Sequence, residues 1–104
     1  MSLSNELEKV FIAGITPYFL EKGNVWFEEN EKKILDARKT QPFFEENTVF
    51  LEQNQEYPLS QLLRKLDELG YEKVFQVTEP GEFMHRGGFV EIFPINLNNA
   101  VRIE

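Results

Sequence analysis

The chain has no cysteine and a single histidine, His85, and its basic residues are outnumbered 11 to 18 by acidic ones. Without cysteine there is no disulfide framework and no thiol chemistry, which is compatible with a reducing compartment. A metal site would have to draw nearly every ligand from carboxylates, so no metal or other cofactor is expected. The same scarcity removes Ser-His-Asp and Cys-His nucleophile systems except one built around His85, and nothing places Ser60 near it. No G-x-G-x-x-G or phosphate-loop motif is present, because Gly81, Gly87 and Gly88 have the wrong spacing and no helix pattern follows them. No apolar run approaches the roughly 18 residues of a membrane span, and Met1-Ser2-Leu3 leads straight into Asn5-Glu6 without a basic start or an apolar stretch. The expected place is the cytoplasm, with no membrane contact. The net charge of −7 argues against direct nucleic-acid binding, which rests largely on lysine and arginine displacing counterions.

What is present is the composition of a globular protein, 41% hydrophobic and 28% charged over 104 residues, which predicts one compact domain. Ten phenylalanines are better explained by core packing than by base stacking, since single-strand binders pair aromatics with a basic groove. Charge is unevenly spread. Residues 1–60 hold 11 acids against 6 bases, whereas Phe83 to Ile103 holds Arg86 and Arg102 against Glu91 alone. An arginine-bearing end on an acidic chain is the more selective place for a protein contact.

Along the chain, Leu3, Leu7, Val10 and Phe11 recur at helical spacing, with Ser4 as N-cap and Gly14 as stop, predicting a short helix over Asn5 to Ala13. Thr16-Pro17 and Gly23 bracket a second, barely two turns long. Asn24 to Phe27 reads as extended, and Asn30 as the cap of a helix running to about Arg38, with Pro42 preventing continuation. Trp26-Phe27-Glu28-Glu29-Asn30 is echoed by Phe43-Phe44-Glu45-Glu46-Asn47, but one echo makes no repeat architecture. Thr48 to Leu51 is a strand, followed by a polar turn at Gln53-Asn54-Gln55. Leu59, Leu62, Leu63, Leu66 and Leu69 form one apolar helix stripe between Pro58 and Gly70, opposite a solvated face of Arg64, Lys65, Asp67 and Glu68. The stripe is expected to pack across an antiparallel sheet built from Val74 to Val77, Phe83 to Arg86, Phe89 to Phe93 and Ala100 to Ile103, with an asparagine-rich turn at residues 96–99. The fold class is therefore α+β: a small antiparallel sheet with helices packed on one face, in a single domain.

The densest information lies between Val77 and Pro94. Glu79-Pro80-Gly81-Glu82 suits a type II turn, with Pro80 fixing φ and Gly81 supplying a positive one. Gly87-Gly88 ahead of Phe89-Val90-Glu91-Ile92-Phe93 predicts a bulge or a close backbone approach, and Pro94 ends the strand. With Leu69-Gly70-Tyr71-Glu72-Lys73-Val74 before it and Val101-Arg102-Ile103-Glu104 after it, this stretch resembles the UvrB-interaction domain of bacterial nucleotide excision repair. That domain is shared by UvrB and the transcription-repair coupling factor. Glu79 to Phe83 and Arg86-Gly87-Gly88 bring the resemblance nearer to the coupling factor, because UvrB proteins more often carry an acidic residue after the Arg-Gly pair. The resemblance covers residues 44–104, while residues 1–43, read as a helical N-terminal segment, are unmatched. The clean alternation of Ala100 to Glu104 stops without a turn or cap, as at a boundary within a larger protein, and the family pattern continues beyond it with an aromatic of the partner surface.

The resemblance implies a non-enzymatic adaptor that docks UvrA, with RNA polymerase and DNA reached only through other domains of a parent coupling factor. Arg86 and Arg102 fall on positions resembling the family's partner-contacting arginines. With Gly87 and Gly88, which leave the surrounding surface open, and His85 beside them, they are the expected partner-binding residues. The residues alone leave another reading of Arg86: a salt bridge to Glu91 or Glu82 that steadies the sheet. Two alternatives stand beside the adaptor. One is the equivalent domain of UvrB. The other is a small enzyme using a carboxylate pair such as Glu79 and Glu82, although acid–base catalysis needs two such groups in different environments across a cleft.

Overall fold

The computed structural model describes residues 8–104. In chain order the elements are β1 (Lys9–Ala13), α1 (Pro17–Leu20), α2 (Asn24–Ala37), α3 (Pro42–Glu46), β2 (Thr48–Glu52), α4 (Leu59–Glu68), β3 (Glu72–Lys73), β4 (Glu82–Arg86), β5 (Phe89–Phe93) and β6 (Val101–Ile103). They form two sheets, an antiparallel ribbon β1-β2 and a four-stranded sheet in the order β3-β4-β5-β6. The class is α+β, as the sequence predicts, but the larger sheet is mixed: β3 runs parallel to β4, and the other neighbours are antiparallel.

The ribbon is buried on both faces. Val10, Ile12, Val49 and Leu51 point into a main core with Leu62, Leu66 and Leu69 of α4 and its end, and with Phe83, Val90, Ile92, Val101 and Ile103 of the larger sheet. Phe11 and Ala13 point the other way, into a second core with Phe19, Phe27 and Ile34, against which Trp26, Phe44 and Phe50 pack. Successive strand side chains face opposite sides, so a strand between two cores must be apolar throughout. This is why the predicted helix over Asn5 to Ala13 fails. Residues 9–13 are a strand, and residues 5–7 lie outside the described part of the chain. Gly14, expected as a helix stop, instead follows the strand where a Cβ would come within 2.8 Å of the Asn47 carbonyl oxygen.

The helical layer also departs from the reading in detail. Thr16 caps α1 as predicted, its Oγ1 accepting from the Phe19 N–H at 3.1 Å. Gly23 is not the end of that helix but the N-cap of α2, which absorbs the supposedly extended Asn24 to Phe27 and runs through Asn30. Pro42 opens α3 rather than only closing off what precedes it, since the first helical position needs no N–H partner. The two echoed pentapeptides do the same local work. Each places an aromatic pair edge to face, and the asparagine amide then donates to the carbonyl four residues back, Asn30 to Trp26 at 2.8 Å and Asn47 to Phe43 at 2.9 Å.

α4 follows its stripe: Leu62 and Leu66 are fully buried, Leu69 nearly so, and Leu59 and Leu63 pack partly buried against the same core. On its other face Lys65 is not merely solvated, because its ammonium donates to the Glu45 and Glu46 carbonyls at 3.2 and 2.9 Å and so caps the end of α3. Beyond Gly70, the expected strand at Val74 to Val77 does not form. Pairing with β4 begins earlier, at Glu72 and Lys73, and ends with the Val74 N–H donating to the Phe83 carbonyl. A parallel pair needs a return path between its strands, and residues 74–81 supply it by leaving the sheet.

Candidate functional site

The burial pattern of the larger sheet separates its two faces. Phe83, Val90, Ile92, Val101 and Ile103 face the core, so alternation sends Met84, Arg86, Phe89, Glu91, Phe93 and Arg102 to the outer face. The hairpin register sets which of them meet: Arg86 lies opposite Phe89, Met84 opposite Glu91, and Glu91 opposite Arg102. Gly87-Gly88 is not a bulge. The ladder is continuous up to Arg86 and Phe89, which makes the glycine pair a two-residue turn, and Gly87 takes the φ of 47° that such a turn needs at its first central residue. A Cβ at either glycine would meet nothing within 4 Å, so the surface beside Arg86 is open.

Both arginines lie on aromatic rings. The Arg102 guanidinium sits 3.7 Å from the Phe89 ring centroid, and its Nε donates to Glu104 at 2.8 Å. The Arg86 guanidinium sits 4.4 Å from the centroid of Phe75, and its Nη2 donates to the Phe75 carbonyl at 3.0 Å. Arg86 thus makes no ion pair with Glu91 or Glu82, contrary to the salt-bridge reading; its partners are the ring and backbone of one loop residue. Across the outer face the order is Phe75, Arg86, Phe89, Arg102 and Glu104, a row of alternating aromatic and guanidinium groups ending in a carboxylate.

Glu82 is committed elsewhere. Its Oε1 accepts from the Thr78 N–H at 2.9 Å, the Glu79 N–H at 3.0 Å and the Thr78 hydroxyl at 3.2 Å. The Thr78 N–H, then that of Glu79, hold its carboxyl below the ordinary glutamate range, since hydrogen bonds to the charged form favour it. The carboxylate ties down residues 78–79 just beyond Phe75, on a turn where Gly81 takes a φ of 92°. His85 does not join the row. It pairs with Val90 and alternates with Arg86, so it faces the inner side of the sheet, where its Nε2 is buried without a hydrogen bond.

Of the expected site residues, the fold therefore brings Arg86, Arg102 and the glycine turn to one face and turns His85 away from it. Phe89 and Phe75 were missed. The first was within reach, since a two-residue turn at Gly87-Gly88 places Phe89 opposite Arg86 by counting alone. The second carried no such mark, because Phe75 belongs to the segment read as a strand.

The chain is 50% identical over 44 residues to the transcription-repair-coupling factor of Bacillus subtilis, covering 42% of this chain and 4% of that protein. It is 37% identical over 57 residues to the coupling factor of Borreliella burgdorferi, covering 55% of this chain and 5% of that one. It is likewise 37% identical over 57 residues to UvrABC system protein B of Campylobacter hominis, covering 54% of this chain and 9% of that one. The chain thus spans less than a tenth of the length of these curated relatives. No solved structure matches it. The family model of the UvrB interaction domain matches residues 49–104, from within β2 through α4 and the whole larger sheet, and the chain belongs to that family of nucleotide excision repair domains.

Proposed function

We propose that this chain is a non-enzymatic docking domain that binds UvrA through the outer face of its larger sheet, as part of a transcription-repair coupling factor. The observation that carries the reading is the placement of Arg86 and Arg102 on one face, each over an aromatic ring, with an open glycine turn beside Arg86. A guanidinium meets a carboxylate best through two parallel N–H donors, and Arg86 holds only a ring and one backbone carbonyl, whereas Arg102 already donates to Glu104. On a chain with a net charge of −7, such a face is the place that selects an acidic partner surface rather than nucleic acid. The 50% identity to the Bacillus subtilis protein supports the coupling factor as parent over UvrB.

Calorimetric titration of the chain against UvrA from the same organism tests the proposal. Arg86→Ala is expected to weaken binding by roughly tenfold or more, as truncation of a binding hot spot does. Its melting temperature should stay with the wild type, because the side chain is exposed and its loss opens no cavity. Equal affinity for the wild type and the variant, or a large fall in melting temperature, would overturn the proposal.

A further inference from the structure

Among the described residues Phe75 is the most exposed of the large hydrophobic side chains, at 83%, in a protein that buries most of its other phenylalanines wholly or in part. It is nevertheless held in place. On its N-terminal side the Val74 N–H is bonded to the Phe83 carbonyl, and on its C-terminal side Glu82 ties Thr78 and Glu79. Its own ring and carbonyl are both engaged by Arg86, at 4.4 and 3.0 Å. A single residue thus holds the guanidinium in two ways: the ring lies beneath its central carbon, and the carbonyl takes one of its donors.

We infer that Phe75 is a second partner-contacting residue, and that it positions Arg86 for edge-on capture of a carboxylate. The inference rests on the docking reading above. The binding face then extends past the sheet onto the loop of residues 74–81, and it takes a protein surface in which an acidic side chain lies beside an apolar one. The carboxylate is called for by Arg86, whose guanidinium holds a backbone carbonyl and a ring rather than a carboxylate, whereas Arg102 already holds Glu104. The apolar neighbour is demanded by Phe75, which would otherwise spend its ring on water. Holding the arginine in place beforehand also removes rotamer freedom that binding would have to remove.

A double-mutant cycle on the whole chain, titrated against UvrA, separates this inference from the one it rests on. Phe75→Ala should weaken binding about fivefold or more, and Phe75→Trp should stay within about twofold of the wild type, because a larger ring supports the cation at least as well. The double variant Phe75→Ala/Arg86→Ala should bind within about twofold of Arg86→Ala alone, since the two side chains act as one unit. By NMR, the Arg86 side-chain protons should show a ring-current shift that Phe75→Ala abolishes and Phe75→Trp keeps, with no partner present. Wild-type affinity in Phe75→Ala together with lost affinity in Arg86→Ala would overturn the inference and leave the docking face standing. Strictly additive losses, or an unshifted Arg86, would overturn the positioning of Arg86 by Phe75. Wild-type affinity in Arg86→Ala, or no binding by the wild type, would remove the docking face and the inference with it.

Discussion

Among the described residues the outer edge of β1 has no neighbouring strand, and two side chains supply what a strand would. The Asn96 amide donates from Nδ2 to the Phe11 carbonyl at 2.8 Å and accepts at Oδ1 from the Ala13 N–H at 3.0 Å. The Tyr71 hydroxyl donates to the Ala13 carbonyl at 2.7 Å and accepts from the Ile95 N–H at 3.0 Å. Buried backbone groups left without partners are costly, so Tyr71→Phe, which strands both, should lower stability by about 1–3 kcal/mol in urea unfolding. Burial also pushes the Tyr71 phenol well above its ordinary range. The neutral form is therefore favoured in the folded protein. Its stabilising contribution is present in full below the unfolded tyrosine pKa of about 10 and falls as pH rises beyond it. Loss of stability above that pH should accordingly be shallower in Tyr71→Phe than in the wild type. Asn96 shows the limit of reading at this scale: an asparagine among Asn98 and Asn99 looks like turn chemistry, yet it is 4% exposed and works as a strand.

Among the elements, α4 was legible because one of its faces meets a core and the other meets mostly water, which is the condition under which a helical stripe appears. Leu66, with no exposed surface and neighbours from the core all round, should cost about 2–5 kcal/mol on truncation to alanine, measured by thermal or urea unfolding. A change below ~0.5 kcal/mol would mean that the stripe is not the buried face. The β4-β5 hairpin was legible for a related reason: Pro80-Gly81, Gly87-Gly88 and Pro94 punctuate it, and Val90 and Ile92 alternate with half-exposed neighbours. β1 was not, because Val10, Phe11, Ile12 and Ala13 serve two cores at once and show no period of two; joined to Leu3 and Leu7 they fit a helix better. The same logic divides the site. Arg86 and Arg102 could be assigned to one face by strand alternation, whereas the ring under Arg86 comes from a loop, where no periodicity operates.

At the scale of the molecule, the ribbon β1-β2 is a wall common to both cores, and its two strands come from different sides of the family boundary at residue 49. β1 lies outside the matched region, yet it places Val10 and Ile12 in the main core and provides the backbone groups that Tyr71 and Asn96 satisfy. A fragment of residues 48–104 would keep all of β2 but leave it without its strand partner. It would lose two buried aliphatic side chains, each worth about 1.5–3 kcal/mol. It would also leave Asn96 and the Tyr71 hydroxyl without their partners on β1, out of a total stability that for a domain of this size is on the order of 5–15 kcal/mol. The losses are comparable with the whole. We therefore expect the 48–104 fragment to show no cooperative thermal transition by circular dichroism, under conditions in which the full chain unfolds cooperatively at a defined midpoint. A sharp transition in the fragment near that midpoint would mean that the matched region carries its own complete core and that β1 only covers it.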